Sequence, residues 1–102
     1  ILLGFSQGAA MAIDAGCKLD LGLIVSCSGY PHPNWQPEEK CPPMIISHGL
    51  MDEVVPIEAS RSIHQKVSCK SSNFCELIEF NGYHQIDLNL IKVIDSIIKD
   101  IF

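Results

Sequence analysis

Apolar residues along the chain fall into short continuous runs separated by turn-forming residues, and two stretches recur at helical spacing. Ile1 to Phe5 is an apolar run interrupted only at Gly4, and Gln7 to Ala15 is rich in Ala and Met, with Gly16 where a helix would stop. This predicts strand, tight turn, helix. Leu21 to Ser26 reads as a second strand, after which Ser28-Gly29-Tyr30-Pro31 opens a loop that continues through a proline-rich stretch to Pro43. Met44 to Ser47 is a third apolar run, ending at His48-Gly49. Beyond the Pro56 turn, Ile57, Ser60, Ile63 and Val67 keep helical spacing. Leu77 to Phe80 predicts a fourth strand, closed by Asn81-Gly82. Leu88, Ile91, Ile94, Ile98 and Ile101 then mark a last amphipathic helix with Lys92, Asp95 and Lys99 on its wetter side. The strand runs do not alternate apolar with polar, and three of the four are followed by a helix. Both features point to an α/β fold whose four parallel strands are flanked by helices on both faces. In such sheets ligands bind beyond the carboxyl ends of the strands, so the loops after the strands are where chemistry is expected.

Composition narrows the function classes. A chain of 102 residues, 47% hydrophobic and 19% charged, is the size and make-up of one globular domain. The net charge of -5 comes with scattered Lys and Arg, so no basic stripe is available for phosphates and nucleic acid is excluded as an expected partner. No apolar run approaches the roughly 20 residues of a membrane span. Five cysteines form no C-x-x-C pair and no metal-ligand spacing, which argues against a metal site or a disulfide framework, although one bridge such as Cys69 to Cys75 stays open. Reduced cysteines favour a cytoplasmic location. Opening on Ile1 rather than Met, inside a strand, leads us to expect that upstream strands and any targeting signal are missing.

The post-strand loops hold a serine, a carboxylate and a histidine. Gly4-Phe5-Ser6-Gln7-Gly8 has the G-x-S-x-G form between a strand and a helix, where a strained turn lifts the serine hydroxyl above the sheet. Small residues at positions 4 and 8 are expected to let the strand and helix backbones approach. The Gln7 N–H, at the helix N-terminus, is placed to donate to an oxyanion. A serine needs a base, and of four histidines His84, on the loop ahead of the last helix, is best placed to reach back to Ser6. His48 is expected to hold the loop that follows it, His64 to lie on a helix, and His32 to sit in a turn or line a cleft rim. Asp52, after the third strand, is the expected partner of the histidine, giving the order Ser, Asp, His, while Glu53 is expected to face solvent. Asp87, Asp95 and Asp100 fit a solvated helix face or a cap.

These blocks resemble the phospholipase, carboxylesterase and acyl-protein thioesterase branch of the α/β-hydrolases. Gly4 to Ala9 resembles its G-F-S-Q-G elbow, His48 to Pro56 its H-G-x-x-D-x-x-V-P block, Gly82-Tyr83-His84 its G-x-H block, and Ser28-Gly29-Tyr30 its S-G-Y segment. The resemblance implies that residues 1–102 are the C-terminal half of an α/β-hydrolase domain of roughly 200 residues. It implies cofactor-free acyl transfer to water, by Ser6, His84 and Asp52 with the Gln7 N–H as oxyanion donor. The expected substrate is a small-molecule acyl ester, lysophospholipid or acyl-thioester, with a homodimer left open. Leu50 and Met51 are more apolar than an exposed loop requires, and either line an acyl pocket or pack beneath the loop. Dienelactone hydrolases usually carry cysteine at the nucleophile position and peptidases need further substrate-binding elements, so Ser6 with Gln7 disfavours both. A non-catalytic fragment or binding module that keeps the fold is the competing reading.

Overall fold

The computed structural model describes residues 1–71 and 74–101, without the side chain of Ile101, so the expected contribution of Ile101 to the last helix's apolar stripe lies outside what is described. The elements run β1 (Leu2–Phe5), α1 (Gln7–Gly16), β2 (Ile24–Cys27), β3 (Met44–Gly49), α2 (Ile57–Lys70), β4 (Cys75–Phe80) and α3 (Leu88–Ile101). The four strands form one sheet in the order β1-β2-β3-β4, every pair parallel. The register sets Leu2 beside Ile24, Ile24 beside Met44 and Met44 beside Cys75. β2 begins later than the apolar run beginning at Leu21 suggested, because the ladder to β3 is entered where the Ile24 N–H donates to the Pro43 carbonyl.

Alternate residues of the central strands supply two cores, as expected for a sheet covered on both sides. Ile24, Met44 and Ile46 pack with Ala12, Ile13 and Cys17 near α1 and with Ile63 and Val67 of α2. Val25, Cys27 and Ile45 face the other way, onto Leu90 of α3 with Val93, Ile94 and Ile97. Each fully buried aliphatic side chain contributes about 1.5–3 kcal/mol. The connection from β2 to β3 has no helix; its loop instead buries Trp35 and Cys41 in the first core.

The face that α3 buries differs from the expectation. Leu90 is 1% exposed, whereas Leu88 and Ile91 are 77% and 55% exposed. Most of the apolar residues of the helix span one broad arc opposite Lys92, Asp95 and Lys99, and packing onto Val25 and Ile45 selects the part of it that runs through Leu90, Val93, Ile94 and Ile97. Lys92, Asp95 and Lys99 are exposed as expected, with Lys99 Nζ 2.9 Å from Asp95 Oδ2. Among the described residues no helix is long and apolar enough to cross a membrane. None of the five cysteines is joined in a disulfide.

Candidate active site

The loops after β1, β3 and β4 leave the sheet at its carboxyl edge and converge. Ser6 joins β1 to α1 with φ 57° and ψ -117°, a conformation that costs an L-residue on the order of 1–3 kcal/mol. The turn is tight because strand and helix touch at Gly4, where an added Cβ would lie 2.3 Å from the Gly8 carbonyl oxygen. Gly8 does not share this duty: a Cβ there would meet nothing within 4 Å, since Gly8 opens on the groove lined by β1 and Met11. The turn is fixed by the Ser6 N–H donating to the Cys27 carbonyl at 2.9 Å, and by the Ala9 and Ala10 N–H groups donating to the Ser6 carbonyl. Gln7 opens α1, where the first amides have no intrahelical acceptor, so its N–H is not taken up by the helix ladder.

His84 is carried by the loop between β4 and α3. That loop is tied to the end of β3 by the Leu50 N–H donating to the Phe80 carbonyl and the Met51 N–H to the Gly82 carbonyl, each at 2.9 Å. The two backbones approach so closely at Gly49 that a Cβ there would lie 2.3 Å from the Tyr83 carbonyl oxygen and 2.5 Å from that of Gly82. Held this way, the His84 ring has Nε2 3.1 Å from Ser6 Oγ and Nδ1 2.8 Å from Asp52 Oδ2. Phe5 supports the ring from one side, with centroids 4.8 Å apart.

Asp52 is buried. Its Oδ1 accepts from the Val54 and Val55 N–H groups, both at 2.8 Å, while Oδ2 accepts from His84. Burial alone would raise the carboxyl pKa, but the Val55 N–H, the His84 ring and the Val54 N–H together outweigh it and hold the group below its ordinary value. With Oδ2 an anionic acceptor, His84 carries its hydrogen on Nδ1, and Nε2 is left to accept from the Ser6 hydroxyl.

The structure therefore brings Ser6, His84 and Asp52 together, with His48 behind Asp52 and the other candidates apart. Glu53 is exposed. His32 pairs with Asp14 at 3.5 Å, and His64 lies within α2. His48 is wholly buried, bonded to Ser60 and to the Val55 carbonyl. Leu50 and Met51 are 43% and 45% exposed, so the loop does not bury them; they stand on the rim beside the His84 loop. Ser60, whose only signal in the sequence is a polar residue on the inward stripe of α2, is buried against His48.

A family model described as phospholipase/carboxylesterase matches residues 1–101. Acyl-protein thioesterase 1 of Eremothecium gossypii is 35% identical over 69 residues, covering 61% of this chain and 29% of the relative. The crystal structure of esterase PE8 superposes with a TM-score of 0.82 at 26% identity, over 98% of this chain and 49% of that one. Zea mays acyl-protein thioesterase 2, at 19% identity, shares the fold with a TM-score of 0.80 over 96% of this chain and 54% of its own. The chain thus spans about half the length of these solved structures. The four-stranded parallel sheet, the strand-turn-helix at Ser6 and a match along nearly the whole sequence agree: the chain belongs to the phospholipase/carboxylesterase family of α/β-hydrolases.

Proposed function

We propose that the protein is a serine hydrolase cleaving carboxylic esters or thioesters, with residues 1–102 forming the part of the catalytic domain that runs from the nucleophile turn to the last helix. The observation that carries the reading is the continuous contact Ser6 Oγ to His84 Nε2 at 3.1 Å and His84 Nδ1 to Asp52 Oδ2 at 2.8 Å, with Ser6 on a strained turn. Ser6 Oγ attacks the acyl carbon as His84 Nε2 takes its proton, and Asp52 stabilises the imidazolium. The Gln7 N–H donates to the oxyanion. His84 then protonates the departing alcohol or thiol, leaving an acyl-serine. Water attacks that ester with His84 again as base, and the proton returns to Ser6 Oγ as the acid is released. Leu50 and Met51 flank the approach and suit the acyl chain of a small-molecule ester or thioester.

A panel of p-nitrophenyl esters of increasing chain length, together with one acyl-thioester, tests this. Turnover is expected, and His84→Ala should remove it by on the order of 10⁴-fold while His48→Ala keeps measurable activity. The reverse ranking would refute the assignment of the base. Complete inertness of the folded protein toward the panel would favour a non-catalytic module.

A further inference from the structure

One buried polar group lies behind the site rather than in it. The His48 side chain is fully inaccessible, as is Ser60. Its ring bridges two elements: Nδ1 is 2.5 Å from Ser60 Oγ on α2, and Nε2 is 2.7 Å from the Val55 carbonyl oxygen in the loop after β3. Nε2 also lies 3.4 Å from Asp52 Oδ2. The same Val55 residue donates its N–H to Asp52 Oδ1. Val55 is thereby gripped on its carbonyl by His48 while it grips the carboxylate with its amide. The hydrogen-bonded path runs Ser60, His48, Val55, Asp52, His84, Ser6, from the first turns of α2 to the nucleophile.

The protonation of this path follows from its chemistry. A carbonyl oxygen only accepts, so His48 Nε2 must carry a hydrogen directed at Val55. The Ser60 hydroxyl can donate to Nδ1, so one hydrogen on Nε2 and one on Ser60 Oγ complete the bonds on both sides of the ring. His48 has no ring nitrogen left for catalysis. Its Nε2–H instead fixes the loop on which Asp52 sits, and a buried serine fixes the tautomer that makes this donation.

We propose that His48 and Ser60 are positioning residues for the hydrolytic site: Ser60 locks His48 in its Nε2–H tautomer, and His48, through the Val55 peptide, holds the Asp52 carboxylate in the orientation that His84 requires. This rests on the serine hydrolase reading above. It goes beyond it by placing the determinant of Asp52's orientation on α2, outside the residues that touch substrate.

Two measurements test it on the full chain. The first needs no activity. Long-range ¹H–¹⁵N correlation of the histidine rings at neutral pH should show His48 as the neutral Nε2–H form in the wild type, with Ser60→Ala losing that single tautomer. A wild-type His48 with its hydrogen on Nδ1 would overturn the proposal. The second follows the rate of fluorophosphonate modification of Ser6, with kcat and KM for an ester substrate. His48→Leu should lower the labelling rate and kcat about 10- to 100-fold with KM little changed, as expected when a catalytic group is displaced by a fraction of an ångström to about 1 Å. His48→Gln, which can return an N–H near the Nε2 position, should recover to within about threefold of wild type. Ile63→Val, a truncation in the α2 core away from this path, controls for general loosening and should leave the labelling rate unchanged. Equal losses in His48→Gln and His48→Leu, a change in KM alone, or a loss in Ile63→Val as large as in His48→Leu would each overturn the proposal. Absence of labelling in the wild type would sink the hydrolase reading itself, and the tautomer measurement would still decide where His48 donates.

Discussion

Gly49→Ala is the substitution whose outcome the structure specifies most closely. The added methyl carbon would stand 2.3 Å from the Tyr83 carbonyl oxygen and 2.5 Å from the Gly82 carbonyl oxygen, and both are main-chain atoms that cannot rotate aside. Ordinary contact begins near 3.5 Å, so the loop carrying His84 must retreat by about 1 Å. That retreat acts on the Met51 N–H bond to Gly82, on the Leu50 N–H bond to Phe80, and on both His84 contacts, to Ser6 and to Asp52. Overpacking of this kind costs about 1–3 kcal/mol, which for a domain of this size lowers Tm by roughly 4–8 °C per kcal/mol. A catalytic group displaced by 1 Å loses on the order of 100-fold in rate. Differential scanning fluorimetry and the fluorophosphonate labelling rate, taken on the same preparation, read the two effects. An alanine variant with unchanged Tm and unchanged labelling would refute the argument that Gly49 sets the His84 loop in place.

Three further outcomes follow from particular groups. Asp52 has a folded-state pKa held below the ordinary value, so its contribution is present at neutral pH and is lost as pH falls through the carboxylate range, below about 4. The stability gap between wild type and Asp52→Asn should therefore narrow in acid, and a gap independent of pH would contradict the hydrogen-bond pattern. Burial pushes the Cys27 thiol from 9.0 to about 11, the opposite sign: its contribution is complete below pH 9 and is lost as pH rises toward 11. Urea titrations should show stability falling there by at most about 1.4 kcal/mol per pH unit for this group, with a shallower slope in Cys27→Val. Among the described residues β1 is an edge strand, with Leu3 48% and Phe5 36% exposed beside Met11 at 61%. Residues 1–102 produced on their own leave that edge open to strand pairing, so sedimentation of that piece should show self-association that Leu3→Lys reduces; a variant that associates equally would place the contact elsewhere.

Much of this architecture was legible because its signals are local. The runs at Ile24 and Met44 are continuous rather than alternating, which a sheet covered on both faces requires, and Gly4 to Gly8 placed a turn between strand and helix. What escaped was set by tertiary contact. The stripe that α3 buries was decided by Val25 and Ile45, residues far away in sequence. The inequality of Gly4 and Gly8 depends on which side of the helix meets the strand. In the candidate site, Ser6, Asp52 and His84 carry their identities in short blocks, whereas Ser60 becomes notable only when the fold sets it against His48, twelve positions away. The Ser26 and Ser47 hydroxyls, buried with no hydrogen-bond partner among the described residues, had no sequence signal.

The central claim is that Ser6 is a nucleophile activated by His84. Intact-mass and peptide mapping of the folded protein after reaction with a fluorophosphonate tests it most directly. The account predicts one equivalent of adduct on Ser6, absent in Ser6→Ala and strongly slowed in His84→Ala. Folded protein that stays unmodified, or an adduct on any residue other than Ser6, would contradict it.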